Sequence, residues 1–256
     1  MKEFRSWHSY RDFADMVTRK SRYVWTPEVK EFLLTLLSTS PTRHRIIPAE
    51  SILWRAQIGH GFDPYVYEGE HIADTPAPLP KERMKPLHGK AAEGRANPKG
   101  IPYLYLANKL ETALCEVRPW LGSLVSIGQF EIIRELEVVN FFNTEIRHLL
   151  YLEEPDQKER EKSVWMDIDQ AFSQPITLTD RIIKYVPTQI IAEMFKAEGF
   201  DGISYRSAYT NDYNVMLFDI DAAEIINCFL YEVERINFKF NEVANPYLVK
   251  KHYEQK

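Results

Sequence analysis

Apolar residues in this chain fall mostly in short runs, and that pattern narrows the fold more than any other feature. Residues 51–56, 101–107, 124–133, 137–142, 202–205, 214–219 and 224–231 are each of strand length and too short for a helix with a long buried face. Helical spacing is confined to fewer places. Phe4, Trp7, Tyr10, Phe13, Met16 and Val17 recur at about that period, and Thr26-Pro27-Glu28 reads as a helix start. There Thr26 is the cap, Phe32, Leu33, Leu34, Leu36 and Leu37 form the apolar body, and Pro41 is the stop. Asn108 is placed to cap a helix carrying Leu110, Ala113, Leu114 and Val117, and Pro187 to open one with Ile190, Ile191, Met194 and Phe195 that Gly199 closes. Residues 59–102, rich in Gly and Pro, read as loop. The charged stretch 153–162 reads as a solvated helix or connector. The expectation is an α+β chain with a strand-rich core. Residues 1–45 form a small helical appendage, 46–235 the main domain and 236–256 a tail.

Composition removes several classes of function. Hydrophobic residues at 45% and charged residues at 27% suit a soluble globular protein, and a net charge of −5 argues against general nucleic-acid binding. Cys115 and Cys228 stand far apart with no CxxC, so neither a disulfide framework nor a zinc knuckle is expected, and Cys115 reads as a small buried hydrophobe. No apolar run approaches the ~18 residues of a membrane span, and the start Met1-Lys2-Glu3-Phe4-Arg5 lacks a signal-peptide stretch. A reduced, cytoplasmic protein is the simplest reading. GxGxxG, GxxxxGK[ST] and GxSxG are all absent, and no two histidines stand four apart. His71 with Asp74 is a weak exception, and no metal site is expected.

Four separated segments carry the chemistry that remains. Leu53-Trp54-Arg55-Ala56 puts an arginine in a strand otherwise fit for burial, and Glu93-Gly94-Arg95-Ala96-Asn97-Pro98-Lys99-Gly100 is a glycine-bounded loop. Tyr103-Leu104-Tyr105-Leu106-Ala107 leads, eleven residues after Tyr105, to Glu116 on the next helix. Asp201-Gly202-Ile203-Ser204-Tyr205-Arg206-Ser207 is followed by the strand from Asn214 to Phe218. Taken singly, each has an ordinary reading: a strand-edge arginine, a surface loop, a core tyrosine, an exposed helix glutamate.

In this order the segments resemble the RES family, named for its arginine, glutamate and serine, over residues 50–220. The resemblance implies a fold like that of ADP-ribosyltransferase toxins, with NAD⁺ lying as substrate, not cofactor, in a cleft between strands. It implies Arg55, Glu116 and Ser207 as the catalytic set, with Tyr105, Arg95, Asn97 and Ser204 as NAD⁺-binding candidates. Ser204 lies earlier in the strand that leads to Ser207, and both could point to one face. An aromatic common in the family between the loop arginine and asparagine is here Ala96. The insert at 65–90 and the N-terminal helices exceed the compact toxin form. The implied activity is cleavage of the nicotinamide–ribose bond by water or phosphate, by a toxin restrained through an antitoxin protein. ADP-ribosyl transfer to a macromolecule and a non-catalytic NAD⁺-binding module stay open, as does the oligomeric state, a homodimer included.

Elementary chemistry supports the residue types. The bond joins a ribose carbon to a positively charged pyridine, so the leaving group needs no proton, and an oxocarbenium-like ribose is what must be stabilised. A carboxylate near the ribose, Glu116, supplies charge and a hydrogen-bond acceptor. A guanidinium, Arg55, makes planar bidentate contacts to pyrophosphate, with Arg95 as a second anion contact. Tyr105 offers a ring face to the cationic nicotinamide, and Ser207 orients Glu116 or the ribose.

Overall fold

The computed structural model describes residues 2–142, 151, 153–175 and 181–242. Residues 236–242 of the expected tail carry no regular structure, and 243–256 lie outside the described residues.

The chain starts helical. α1 (Ser9–Arg19) turns Tyr10, Phe13 and Val17 inward, the i, i+3, i+7 set of one helix face. α2 (Pro27–Thr39) begins where the sequence places it: Thr26 Oγ1 accepts from the Val29 N–H at 3.5 Å and Pro27 occupies the first turn. A 3₁₀ turn over Ser40–Arg43, containing Pro41, follows. Then come β1 (His44–Ile47), β2 (Ile52–Ile58), β3 (Gly61–Tyr67), β4 (Glu70–Ala77) and the single turn α3 (Lys81–Met84). β5 (Leu104–Ala107), α4 (Leu110–Glu116), β6 (Leu124–Ile132), β7 (Leu136–Asn140), α5 (Gln157–Ser173) and α6 (Arg181–Ala197) come next, and β8 (Gly202–Arg206), β9 (Tyr213–Leu217) and β10 (Ala223–Glu232) complete the order. The chain is a mixed α+β fold.

Eight strands make one sheet in the order β1-β7-β8-β9-β5-β2-β6-β10. Neighbours are antiparallel except β7 and β8, whose parallel pairing goes with the long crossover containing α5 and α6. Alternation sorts side chains to two faces. Val139, Phe141, Ile203, Tyr205, Met216 and Phe218 pack in one core with α1, α2, α5 and α6, while Leu53, Leu104, Leu106, Phe130, Val215 and Leu217 pack in another with Met84 of α3. α1 and α2 therefore share the core of the sheet. The indole Nε1 of Trp165 in α5 donates to Thr39 Oγ1 at 3.1 Å, which ties α5 to the end of α2. At the start of β8, a Cβ on Gly202 would lie 2.2 Å from the Met216 carbonyl oxygen, so only glycine lets β8 and β9 meet there. Asp201 beside it accepts from the Glu137 N–H at 2.8 Å and from Arg134 Nη2 at 2.6 Å, which joins β7 to β8.

Three expectations change. Residues 59–102 contain an exposed β3–β4 ribbon and α3, where loop was expected: alternation is hidden because both faces of the ribbon meet water. α6 runs through Pro187 and does not begin there. Pro187 lacks the N–H that the Ile183 carbonyl would bond, and burial of Tyr185, Val186, Ile190 and Ile191 on both sides carries the helix across the gap. The charged 153–162 stretch leads into a longer helix, α5, capped by Asp156 and buried at Val164, Trp165, Ile168 and Phe172. Among the described residues no helix is long and apolar enough to cross a membrane.

Phe141 sits where the rings of Trp165, Phe172 and Phe195 converge, with centroids 5.6, 4.8 and 5.8 Å away. Phe141→Ala should lower the unfolding free energy by about 3–5 kcal/mol, read from urea denaturation. A loss below about 1 kcal/mol would show that the neighbouring rings collapse into the space.

Candidate active site

The sheet comes apart between β2 and β5, which are joined by the Trp54–Ala107 pair alone. Beyond that pair the strands diverge around a cleft of about 190 Å³, lined among others by Trp54, Arg55, Tyr105, Glu116, Tyr205 and Asn214. α4 follows directly on β5 and brings its last residue, Glu116, to the cleft.

Glu116 is held by one oxygen. Ser207 Oγ donates to Oε1 at 2.7 Å and Asn214 Nδ2 donates to the same atom at 2.6 Å. Oε2 accepts nothing from the described residues. Ser207 directly follows β8 and Asn214 lies in β9, and the connection between them is bolted to the start of α4 by further contacts. Thr112 and Thr210 hydroxyls meet at 3.0 Å, and Asp212 Oδ1 accepts from Asn108 Nδ2 at 3.2 Å and pairs with Lys109 at 3.1 Å. Asn108 is thus spent on this link, with its Oδ1 accepting from the Tyr213 N–H. It does not cap α4, whose cap position falls to Lys109. Cys115, one residue before the carboxylate, is exposed and not buried as expected, because α4 turns Thr112 and Ala113 inward.

Arg55 also lines the cleft. Its Nε and Nη1 are buried and meet no hydrogen-bond partner among the described residues. Burial pushes the guanidinium below its ordinary value, with Tyr105 acting the other way, yet an arginine stays charged throughout the physiological range. A buried cation without a partner is costly, and an anionic ligand would relieve that cost. Burial likewise raises the Tyr105 and Tyr205 hydroxyls, keeping both rings neutral.

The glycine-bounded loop does structural work. Tyr105 accepts from the Ala96 N–H at 3.0 Å and donates to Asn97 Oδ1 at 2.8 Å, while Asn97 Nδ2 reaches the carbonyls of Ala92 at 3.0 Å and Ile101 at 2.9 Å. A Cβ on Gly94 would lie 2.2 Å from Asn97 Oδ1 and 2.8 Å from the Tyr105 hydroxyl, so this packing requires glycine. From α6, Gln189 Nε2 donates to the carbonyls of Gly94 at 3.0 Å and Asn97 at 3.1 Å, and Thr188 Oγ1 donates to that of Arg95.

The sequence candidates therefore divide. Arg55, Tyr105, Glu116 and Ser207 come together at the cleft. Asn97 is consumed in folding the loop, and the Arg95 guanidinium donates to the carbonyls of Ala171 and Gln174 at the end of α5, where a cation suits the exposed carbonyls. Neither is among the residues lining the cleft. Ser204 is buried and donates to Asn140 Oδ1 at 3.0 Å, away from Glu116. Ser207 stands three positions after Ser204, an odd offset, so alternation sends them to opposite faces and not to one. Asn214, Gln189 and Thr188 were missed. Their signal was a polar side chain on an otherwise apolar strand or helix face, where burial demands a partner. Among the described residues no group of three or more His, Cys, Asp or Glu is gathered to hold a metal, and His71 and Asp74 simply pair at 2.9 Å on the exposed ribbon.

Comparison with known proteins gives one family. The model of the RES domain matches residues 53–240. No curated protein matches the chain. Among solved structures, the crystal structure of the M. tuberculosis MbcT–MbcA toxin–antitoxin complex is similar with a TM-score of 0.41 and 12% identity, over 77% of this chain and 92% of that chain. A likeness so distant says nothing of chemistry.

Tyr105→Phe would strip Asn97 Oδ1 and the Ala96 N–H of their partner, and should cost about 1–3 kcal/mol of stability in urea denaturation. An unchanged midpoint would mean that the loop is held by Gln189 and Thr188 without the hydroxyl.

Proposed function

Because the chain belongs to the RES domain family, we propose that it binds NAD⁺ in the β2–β5 cleft and cleaves the bond between nicotinamide and ribose. The observation that carries this reading is Glu116 held through Oε1 by Ser207 and Asn214, in the same cleft as an unpartnered Arg55. The cleft is smaller than the ~300–1,000 Å³ of a pocket that encloses a drug-sized ligand. It suits the reacting nicotinamide–ribose end, with the remainder of the dinucleotide lying outside.

In this reading Arg55 grips the pyrophosphate or the adjoining ribose, where its buried N–H groups gain the acceptors they lack. Tyr105 offers its ring to the cationic nicotinamide. As the bond stretches, its electron pair leaves with nicotinamide, which departs neutral, and positive charge develops on the ribose. Glu116 stabilises that charge through its carboxylate, with Oε2 free to accept from a ribose hydroxyl. Ser207 and Asn214 fix the carboxylate in place beforehand, so little reorganisation is needed during reaction. Ser207 donates its proton toward a carboxylate that is itself restrained, which suits a positioning role and not a nucleophile. Water as acceptor gives ADP-ribose, nicotinamide and a proton; phosphate gives ADP-ribose 1-phosphate and nicotinamide. Loss of a shared coenzyme would arrest growth, and a toxin restrained by an antitoxin protein is the biological setting this activity fits.

The test is incubation with NAD⁺, with and without phosphate, and separation of products by chromatography with mass detection. Nicotinamide with ADP-ribose or its 1-phosphate is expected, and intact NAD⁺ in every tube, cell lysate included as a source of acceptor, would overturn the reading. Glu116→Gln should keep NAD⁺ binding and lose turnover by about 100-fold or more. Arg55→Ala should weaken binding by about tenfold or more, measured by calorimetry on the Glu116→Gln background so that NAD⁺ survives the titration.

A further inference from the structure

The family match begins at residue 53, so α1, α2 and the turn between them stand outside it. One side chain of that turn nevertheless reaches toward the wall of the cleft. Arg22 Nη2 donates to Gln189 Oε1 of α6 at 2.6 Å. The other end of the same amide holds the glycine-bounded loop: Gln189 Nε2 donates to the carbonyls of Gly94 at 3.0 Å and Asn97 at 3.1 Å, and to Glu93 Oε1 at 3.1 Å. Asn97 Oδ1 in turn accepts from the Tyr105 hydroxyl at 2.8 Å, and the Ala96 N–H donates to that hydroxyl at 3.0 Å. A continuous path therefore runs from Arg22 through one amide and one short loop to the ring that lines the cleft.

Each link has a physical reason. Arg22 is placed by its own turn: the indole Nε1 of Trp25 donates to the Arg22 carbonyl at 3.0 Å, and Ser21 Oγ accepts from the Val24 N–H at 3.3 Å. The helices on either side are anchored by Val17 and Val29, which share one core with Ile190, Ile191 and Ala96. Gln189 is only 2% exposed. Its amide oxygen has no bulk water to turn to, and a buried acceptor without a donor costs more than the bond itself contributes. Arg22 meets that need. With its donors removed, the amide is drawn outward for water and Nε2 releases the loop. The guanidinium charge also polarises the amide, which strengthens the bonds that Nε2 makes. Thr188 and the end of α5 hold the loop as well, so the release is a local loosening and not an unfolding.

We propose that Arg22 is a positioning residue for the cleft, acting through Gln189 and the loop to set the ring of Tyr105. Its effect on catalysis rests on the NAD⁺ reading above. In that reading the ring faces nicotinamide, which is cationic only while its bond to ribose is intact. The departing nicotinamide is neutral, so the ring contributes more to substrate binding than to the transition state. A displaced ring should therefore raise KM and spare kcat, whereas a smaller folded fraction would lower the apparent kcat and leave KM alone.

Two measurements on Arg22→Met, which keeps an aliphatic stem and removes the donors, test it. Hydrogen exchange read by mass spectrometry needs no substrate. The amides of residues 93–97 should exchange about tenfold or more faster than in the wild type, while those of β6 keep their rate as the check on folding. Gln189→Met should do the same, and adding Arg22→Met to it should change nothing further. Steady-state cleavage of NAD⁺ by Arg22→Met should show KM raised about threefold or more, with kcat within about twofold of wild type. Unchanged exchange at 93–97, a further acceleration in the double variant, or an active enzyme whose KM does not move would overturn the proposal. If the wild-type chain leaves NAD⁺ intact, the reading of the cleft fails, and exchange alone decides whether Arg22 holds the loop. Should β6 loosen as well, Arg22→Ala takes the place of Arg22→Met with the same outcomes.

Discussion

Everything the cleft can do depends on how briefly β2 and β5 touch. Had these strands stayed in register beyond Trp54 and Ala107, the sheet would be continuous and the side chains of Arg55 and Tyr105 would pack against ladder neighbours. Instead the sheet parts into a β1-β7-β8-β9-β5 half and a β2-β6-β10 half, and the gap between them is where a ligand can enter. Each half is secured elsewhere. β2 pairs with β6 along its length, and β5 with β9, so the divergence does not loosen either side. The two apolar cores, one on each face, do the rest.

The wall of the cleft is shaped by polar side chains buried for structural reasons. Asn97, Tyr105 and Gln189 satisfy backbone groups in a loop that has no helix or strand to satisfy them. Each of these bonds contributes modestly on its own, but leaving any buried partner unpaired would cost more than making the bond gains. That asymmetry explains how a segment rich in Gly, Asn and Pro can be as well defined as the strands it borders. It also fixes the tyrosine ring by its hydroxyl, so that the ring face presented to the cleft is set by the loop behind it.

The sequence disclosed the parts of this design that have a local cause. Thr26-Pro27 starts α2 because a cap acts within one turn, and the short apolar runs become strands because a two-residue period needs no distant partner to be read. The Arg55, Tyr105, Glu116 and Ser207 segments were legible in a different way, through the resemblance of their order to the RES family. What stayed hidden depends on contacts across the chain. Asn108 looks like a cap until Asp212 and Tyr213, about a hundred residues later, claim its side chain. Arg95 looks like an anion grip until the end of α5 supplies carbonyls for it. Asn214 looks like the polar first residue of a strand until Glu116 is found beneath it. Asp201-Gly202 was legible as a motif, but its cause, a glycine pressed against the Met216 carbonyl and an aspartate joining β7 to β8, is tertiary.

Arg55 and Glu116 line the same cleft with opposite charges and form no ion pair among the described residues. Left to themselves, two such groups at close range would meet, because the attraction grows as water is excluded. Here each is restrained from its own side. Ser207 and Asn214 draw the carboxylate toward β8 and β9, and β2, paired to β6, carries the guanidinium on the other half of the sheet. Keeping them apart costs stability, since Arg55 keeps buried N–H groups without partners. What the separation provides is two sites of opposite preference in one cleft, a cation and an anion that can each meet a ligand group of the other sign. A collapsed Arg55–Glu116 pair would satisfy both charges and leave nothing to bind with. The polar clamps around Glu116 are therefore as necessary to the cleft as the charges themselves.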